Sequence, residues 1–128
     1  MRDMMKPAIL IIENDEDTRR LYADLLTYTD AKIVEAGNPY EAFEQLRRNP
    51  ISLIVTDLHM PGGGVDYLTH LRQKEPTCPI IAITGVGGDT VREAAIAAGA
   101  TLFLEKPIKT KQLRQVIERF LPRTPHAA

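Results

Sequence analysis

Four places in the chain set a reactive side chain at the end of a short apolar run. Glu13-Asn14-Asp15 follows Ala8-Ile12, Asp57 follows Leu53-Ile54-Val55-Thr56, Thr84 closes Pro79-Ile83, and Lys106-Pro107 follows Thr101-Glu105. Singly, each has an ordinary explanation: acids favour the positive end of a following helix, threonine suits a strand, and lysine usually sits in water. Asp57 resists that treatment, because it ends a strand that should be buried, where an unpaired carboxylate is costly. It needs a cation, a donor or a chemical role. Together, two or three acids, a hydroxyl and an amine are the parts for phosphoryl transfer to a carboxylate. That reaction needs an oxygen nucleophile, a Mg²⁺ held by a few carboxylates and waters, a hydroxyl donor and a compact cation for the phosphoryl oxygens.

These groups can act together only if the fold brings the ends of the runs to one edge. Short apolar runs alternate with helical periodicity along the whole chain, the pattern of repeated βα units. Strands are predicted at Ala8-Glu13, Lys32-Ala36, Ile51-Asp57, Pro79-Thr84 and Thr101-Glu105. The first, third and fourth are nearly continuously apolar and should be central, with Lys32-Ala36 more peripheral. In an open parallel sheet, ligands sit outside the carboxyl ends of the strands, where all four groups fall. Inner helical stripes are predicted at Leu21, Leu25 and Tyr28; at Tyr40, Phe43 and Leu46 or Arg47; at Leu68 and Leu71; and at Leu113, Val116, Ile117 and Phe120. Asn38-Pro39-Tyr40-Glu41 reads as an N-cap, a proline in the first turn and a capping-box acid, while Asp89 and Thr110 are predicted to cap the fourth and fifth helices. Gly99 would supply a left-handed stop after the fourth, Thr90-Ala98. That helix is rich in alanine with few large anchors, so it should shift most easily.

The 128 residues, 44% apolar, suffice for one domain, predicted over residues 1–122, with residues 123–128 as a tail or truncated linker. Sixteen basic and seventeen acidic side chains leave a net charge of -1, so no global field draws the chain to nucleic acid or anionic lipid. Apolar runs such as Ala8-Ile12 fall far short of the roughly 20 residues that span a bilayer. Met1-Pro7 is followed by too short a run for a secretory signal, and a cytoplasmic location is expected. The lone cysteine, Cys78, permits neither an internal disulfide nor a thiolate cluster and reads as a small apolar residue.

The segments Ile9-Leu10-Ile11-Ile12-Glu13-Asn14-Asp15, Val55-Thr56-Asp57-Leu58-His59-Met60-Pro61, Ile83-Thr84-Gly85 and Phe103-Leu104-Glu105-Lys106-Pro107 carry a specific resemblance. Over Pro7 to Leu121 the chain resembles the receiver domain of two-component response regulators. The resemblance implies a CheY-like, flavodoxin-like α/β fold, a doubly wound five-stranded parallel sheet in order 2-1-3-4-5 flanked by five helices. It implies a phosphorylation switch rather than a metabolic enzyme, one that catalyses only its own phosphorylation and dephosphorylation. Asp57 would be the phosphoacceptor. Glu13 and Asn14 would occupy the paired acidic metal positions, with Asp57 and the backbone carbonyl of His59 completing a Mg²⁺ shell. Thr84 and Lys106 would bind the phosphoryl group, Lys106-Pro107 would be cis, and Thr84 with Phe103 would form the switch. The implied partners are a histidine kinase or phosphotransfer protein and a downstream effector read by the face of the fourth helix, fifth strand and fifth helix, with no direct nucleic acid and no membrane.

Two departures bear on that reading. Asn14 stands where the family usually has an aspartate, so one oxygen donor remains but one negative charge is lost. The alternative function is therefore a pseudo-receiver, an interaction module with impaired Mg²⁺ binding and phosphorylation. The loop Gly62-Gly63-Gly64-Val65 is one residue shorter than usual and rich in glycine. Other motifs fail: Gly85-Val86-Gly87-Gly88-Asp89-Thr90 lacks the third glycine of a dinucleotide turn. The acids after the first strand would repel a flavin phosphate. His59, His70 and His126 lack ligand spacing, and Asp57-Leu58-His59 lacks the second acid of an aspartyl phosphatase.

Overall fold

In a computed structural model, which describes residues 6–85 and 87–122, the apolar runs form β1 (Ala8–Ile12), β2 (Lys32–Ala36), β3 (Leu53–Asp57), β4 (Ile80–Thr84) and β5 (Leu102–Glu105). The predicted tail at 123–128, residues 1–5 of the predicted domain, His126 and Val86 lie outside the described residues. Between and after the strands run α1 (Glu16–Leu25), α2 (Pro39–Arg48), α3 (Val65–Lys74), α4 (Asp89–Ala97) and α5 (Thr110–Phe120). All five strands are parallel in the order β2-β1-β3-β4-β5. The nearly continuously apolar β1, β3 and β4 are central and wholly buried, and the mixed β2 lies at an edge.

Because strand side chains alternate between faces, the sheet divides the core in two. Leu10, Ile12, Ile54, Ile80 and Ala82 pack on one side with Ala42, Leu68, Leu71 and Ala95 of α2, α3 and α4. Ile9, Ile11, Val55, Ile81 and Ile83 pack on the other with Tyr22, Leu113 and Ile117 of α1 and α5. Burying a large aliphatic side chain is worth roughly 1.5–3 kcal/mol, so these two layers fix the strand register. The register pairs Ile12 with Thr56, Asp57 with Ile83 and Thr84 with Glu105, which brings the carboxyl ends of four strands level.

Several local expectations are corrected. Leu21 and Tyr28 are 55% and 44% exposed; the inward face of α1 is Tyr22 and Ala23, with Leu26 beyond its end. Helix α1 stops at Leu25, so Tyr28 has left the helical phase. It lies against Arg114 of α5 instead, with the guanidinium 4.9 Å from its ring centre. Tyr40 sits in the first turn of α2 and points to water at 74% exposure, while Phe43 and Leu46 pack against the core. Asn38 does cap α2, its Oδ1 accepting from Glu41 N at 2.8 Å, but the Glu41 carboxylate reaches Gly37 N at 2.7 Å instead of the cap residue. Neither Asp89 nor Thr110 is a cap. Each lies inside its helix, behind Gly88 and Lys109, and neither helix has a side-chain cap. Gly99 takes the left-handed conformation (φ 120) that ends α4, where a side chain would collide with Arg72.

Candidate functional site

The carboxyl ends of β1, β3 and β5 converge on one ammonium group. Glu13, one residue beyond β1, is 1% exposed, and its backbone N–H is held by Ala36 O at 3.1 Å. Its carboxylate accepts from Asp15 N at 3.0 Å through Oε2 and from Lys106 Nζ at 3.0 Å through Oε1. Asp57, the last residue of β3, is 4% exposed. Its Oδ1 accepts from His59 N at 2.8 Å and its Oδ2 from Lys106 Nζ at 2.7 Å. Lys106 is held in register by its own N–H, which donates to Thr84 O at 2.9 Å, and the Lys106-Pro107 peptide is cis.

Charge and burial compete here. Burial pushes the Glu13 carboxyl above its ordinary value and Asp57 adds to the rise, against the hydrogen bonds from Asp15 N and Lys106. Burial alone would lower the Lys106 pKa, but its hydrogen bonds to Asp57 and Glu13 outweigh that and hold the ammonium above the usual lysine range. The trio therefore carries one cation against two carboxylates, an arrangement with affinity for a further positive charge.

The remaining candidates lie around this trio. Thr84 ends β4 and is 3% exposed. Phe103, also 3% exposed, lies opposite Ala82 on β5 and so shares a sheet face with Thr84. The Arg92 guanidinium of α4 stands 5.2 Å from the ring centre of Phe103 and 3.7 Å from Glu105. Asn14 and the His59 side chain are exposed on the loops after β1 and β3. Asp15 is engaged elsewhere, its Oδ2 accepting from Thr18 N at 2.9 Å and Thr18 Oγ1 at 2.5 Å to cap α1. Those two bonds hold its carboxyl below the ordinary value.

Arg19 of α1 is a site residue with no signal in the sequence. Its Nη1 donates to the carbonyl of Glu13 at 2.8 Å and its Nε to Glu35 of β2 at 3.1 Å, bracing the end of β1. An arginine six residues after an acid gives no local hint of that contact. Among the described residues no group of three or more His, Cys, Asp or Glu forms a metal cage. The available donors are nevertheless all oxygen, with the carboxylates of Glu13 and Asp57 already converging on one cation. Two carboxylates plus neutral oxygens suit Mg²⁺, which keeps several waters of its own.

Comparison with known proteins decides the family. The chain matches the response regulator receiver domain over residues 9–118. It belongs to that family. This receiver domain is 33% identical over 115 residues to the response regulator protein PilR of Pseudomonas aeruginosa, covering 89% of this chain but 26% of PilR. It is 30% identical over 123 residues to a 14.6 kDa protein of Leptolyngbya boryana, covering 94% of each. Among solved structures it resembles the chemotaxis protein CheY4 of Vibrio cholerae, with a TM-score of 0.83, 21% identity, and coverage of 91% of this chain and 100% of that one. At that identity the likeness is one of fold. The receiver domain thus spans about a quarter of the length of PilR. Among the described residues no helix is long and apolar enough to cross a membrane.

Proposed function

We propose that this receiver domain accepts a phosphoryl group on Asp57 from the phosphohistidine of a histidine kinase or a phosphotransfer protein. The single observation that carries this reading is the buried Asp57 carboxylate, Oδ2 held by Lys106 at 2.7 Å and Oδ1 by His59 N at 2.8 Å at the carboxyl edge of the sheet. In the transfer, an Asp57 oxygen forms a bond to phosphorus as the donor's P–N bond breaks, and the leaving imidazole takes up a proton. Two hydrogen bonds orient the nucleophile before reaction, which favours the step by positioning. The Lys106 ammonium faces the phosphoryl oxygens as a compact, flexible charge, and the Thr84 hydroxyl donates to them. Glu13, Asp57, the Asn14 amide oxygen and the His59 carbonyl would hold a Mg²⁺, whose charge offsets that of the phosphoryl oxygens.

The resulting acyl phosphate draws Thr84 and alters the face built by α4, β5 and α5, which a downstream effector protein reads. The domain acts as a cytoplasmic switch that catalyses only its own phosphorylation and dephosphorylation, without direct contact to nucleic acid or membrane. Acetyl phosphate with Mg²⁺ tests the reading: intact mass should show one phosphoryl group, and Asp57→Asn should abolish it. Incorporation that survives the substitution would refute the assignment.

A second reading has one observation in its favour, the neutral and exposed Asn14 at a position where an acid would strengthen metal binding. In that reading the domain is a pseudo-receiver, an interaction module without Mg²⁺-dependent phosphorylation. Mg²⁺ titration separates the two: saturable binding supports the switch, and its absence supports the module.

A further inference from the structure

Thr56 and Tyr67 are two buried hydroxyls that the chemistry above does not use. Thr56 precedes Asp57 on β3 and is 0% exposed; Tyr67, in the first turn of α3, is 4% exposed. The Thr56 Oγ1 lies 2.9 Å from Tyr67 Oη and 3.0 Å from the backbone carbonyl oxygen of Asp57. The protons follow from the partners. A carbonyl can only accept, so Thr56 gives its one proton to Asp57 and Tyr67 donates to Thr56. Burial holds the Tyr67 phenol above its ordinary value, which keeps that proton in place. Its ring is located by an edge-on contact with Phe43, the centroids 6.1 Å apart.

The relay starts on a helix whose first turn has no side-chain cap. The N-cap of α3 is Gly64, and the loop before it turns through left-handed Gly62 (φ 80) and Gly64 (φ 103). Glycines in such a loop supply little stiffness. At its other end the relay reaches the peptide unit that follows the Asp57 side chain. That short stretch is then fixed at three points: the Asp57 carbonyl by Thr56, the carboxylate by His59 N, and Leu58 N by Ile83 O at 2.8 Å.

We propose that Tyr67, acting through Thr56, is a positioning residue for Asp57, fixing the peptide that aims its carboxylate at Lys106. This rests on the phosphoacceptor reading above. Neither hydroxyl touches the phosphoryl group, so the relay acts on the aim of the nucleophile and not on binding of the donor.

The test is phosphorylation kinetics with phosphoramidate as the small donor at saturating Mg²⁺, alongside amide hydrogen exchange at Leu58 and His59. Tyr67→Phe keeps the ring and removes only the hydroxyl. The maximal phosphorylation rate at saturating Mg²⁺ should fall roughly fivefold, since small misalignments of a reacting group are costly, while the half-saturating donor concentration stays unchanged. Thr56→Val should match it, and the double variant should be no slower than either single one, because one relay is lost only once. Thr56→Ser should restore the wild-type rate. Exchange at Leu58 and His59 should quicken in Tyr67→Phe. A wild-type rate in Tyr67→Phe, or losses that multiply in the double variant, would overturn the relay. Should the unaltered protein take no phosphoryl group, the phosphoacceptor reading fails by itself; unchanged exchange in Tyr67→Phe would then reject the positioning role too, and quickened exchange would uphold it.

Discussion

The ammonium of Lys106 is shared: 2.7 Å from Asp57 Oδ2, it is also 3.0 Å from Glu13 Oε1, and it is the cation that makes both buried carboxylates tolerable. Removing it by Lys106→Met strands two charges at once. Breaking a buried pair costs about 3–5 kcal/mol, and because the Lys106 side chain keeps 29% exposure we expect about 2 kcal/mol. The sign with pH is definite. Without the cation the Glu13 carboxyl loses the hydrogen bond that lowers it and titrates higher still, so the loss should be large at about pH 7 and shrink as pH falls and Glu13 protonates. In the unaltered protein the Lys106 pKa is raised, so its contribution holds below the ordinary lysine value and fades only as pH climbs through the folded value. Urea denaturation of both proteins across pH checks this; a loss independent of pH would contradict it.

Glu13 behaves oppositely to a stabilising acid. Its folded pKa is raised chiefly by burial, so its protonated form favours the fold at low pH, and that contribution is lost as pH rises through the folded value. Glu13→Gln should therefore leave the metal-free domain as stable as the unaltered one, or more so, at neutral pH, with Lys106 still paired to Asp57. The advantage should vanish in acid. Thermal melts at both pH values test it, and a clearly lower Tm for the variant at neutral pH would count against it.

Asn14→Asp restores a charge beside the acidic pocket. Mg²⁺ binding should tighten, roughly tenfold for each 1.4 kcal/mol gained, while the metal-free fold is slightly destabilised by like charges at Glu13, Asp15 and Asp57. Calorimetric titration reads the first and denaturation the second. An unchanged Mg²⁺ dissociation constant would put residue 14 outside the metal shell.

Helix α4 buries only Ala95 completely, with Val91 and Ala98 as partial anchors, so shifting it gives up little apolar area. Arg92 straps it to β5 through Phe103 and Glu105. Amide exchange with and without beryllofluoride should change in residues 87–98 and 102–106 and leave α1 and α2 largely still. Arg92→Ala should raise exchange there even without beryllofluoride. Changes confined to α1 and α2 would reject this account of the switch.

The sheet and the strand-end residues were legible because they rest on strong, local signals. Apolar runs such as Ile9-Ile12 and Ile80-Ile83 have only one way to be buried on both faces, and parallel strands bring their ends to one edge. Sequence pattern and structure part where one residue of phase decides the outcome. The inward stripe of α1 departs from the sequence pattern because the helix ends at Leu25, releasing Tyr28, and because Leu21 and Tyr22 are both apolar enough for either phase. Asp89 and Thr110 looked like caps, yet each lies one residue inside its helix. The braces of the site, Arg19 on the Glu13 carbonyl and Tyr67 on Thr56, were invisible, since a hydrogen bond between distant elements leaves no local pattern.

The central claim is that Asp57 carries the phosphoryl group, and the most direct measurement identifies the modified residue chemically. After treatment with acetyl phosphate and Mg²⁺, borohydride reduction converts an aspartyl phosphate to homoserine, which peptide mass mapping locates. The account predicts homoserine at position 57 alone. Homoserine at another aspartate, such as position 15, or an unreduced Asp57 in a chain that had taken up one phosphoryl group, would contradict it.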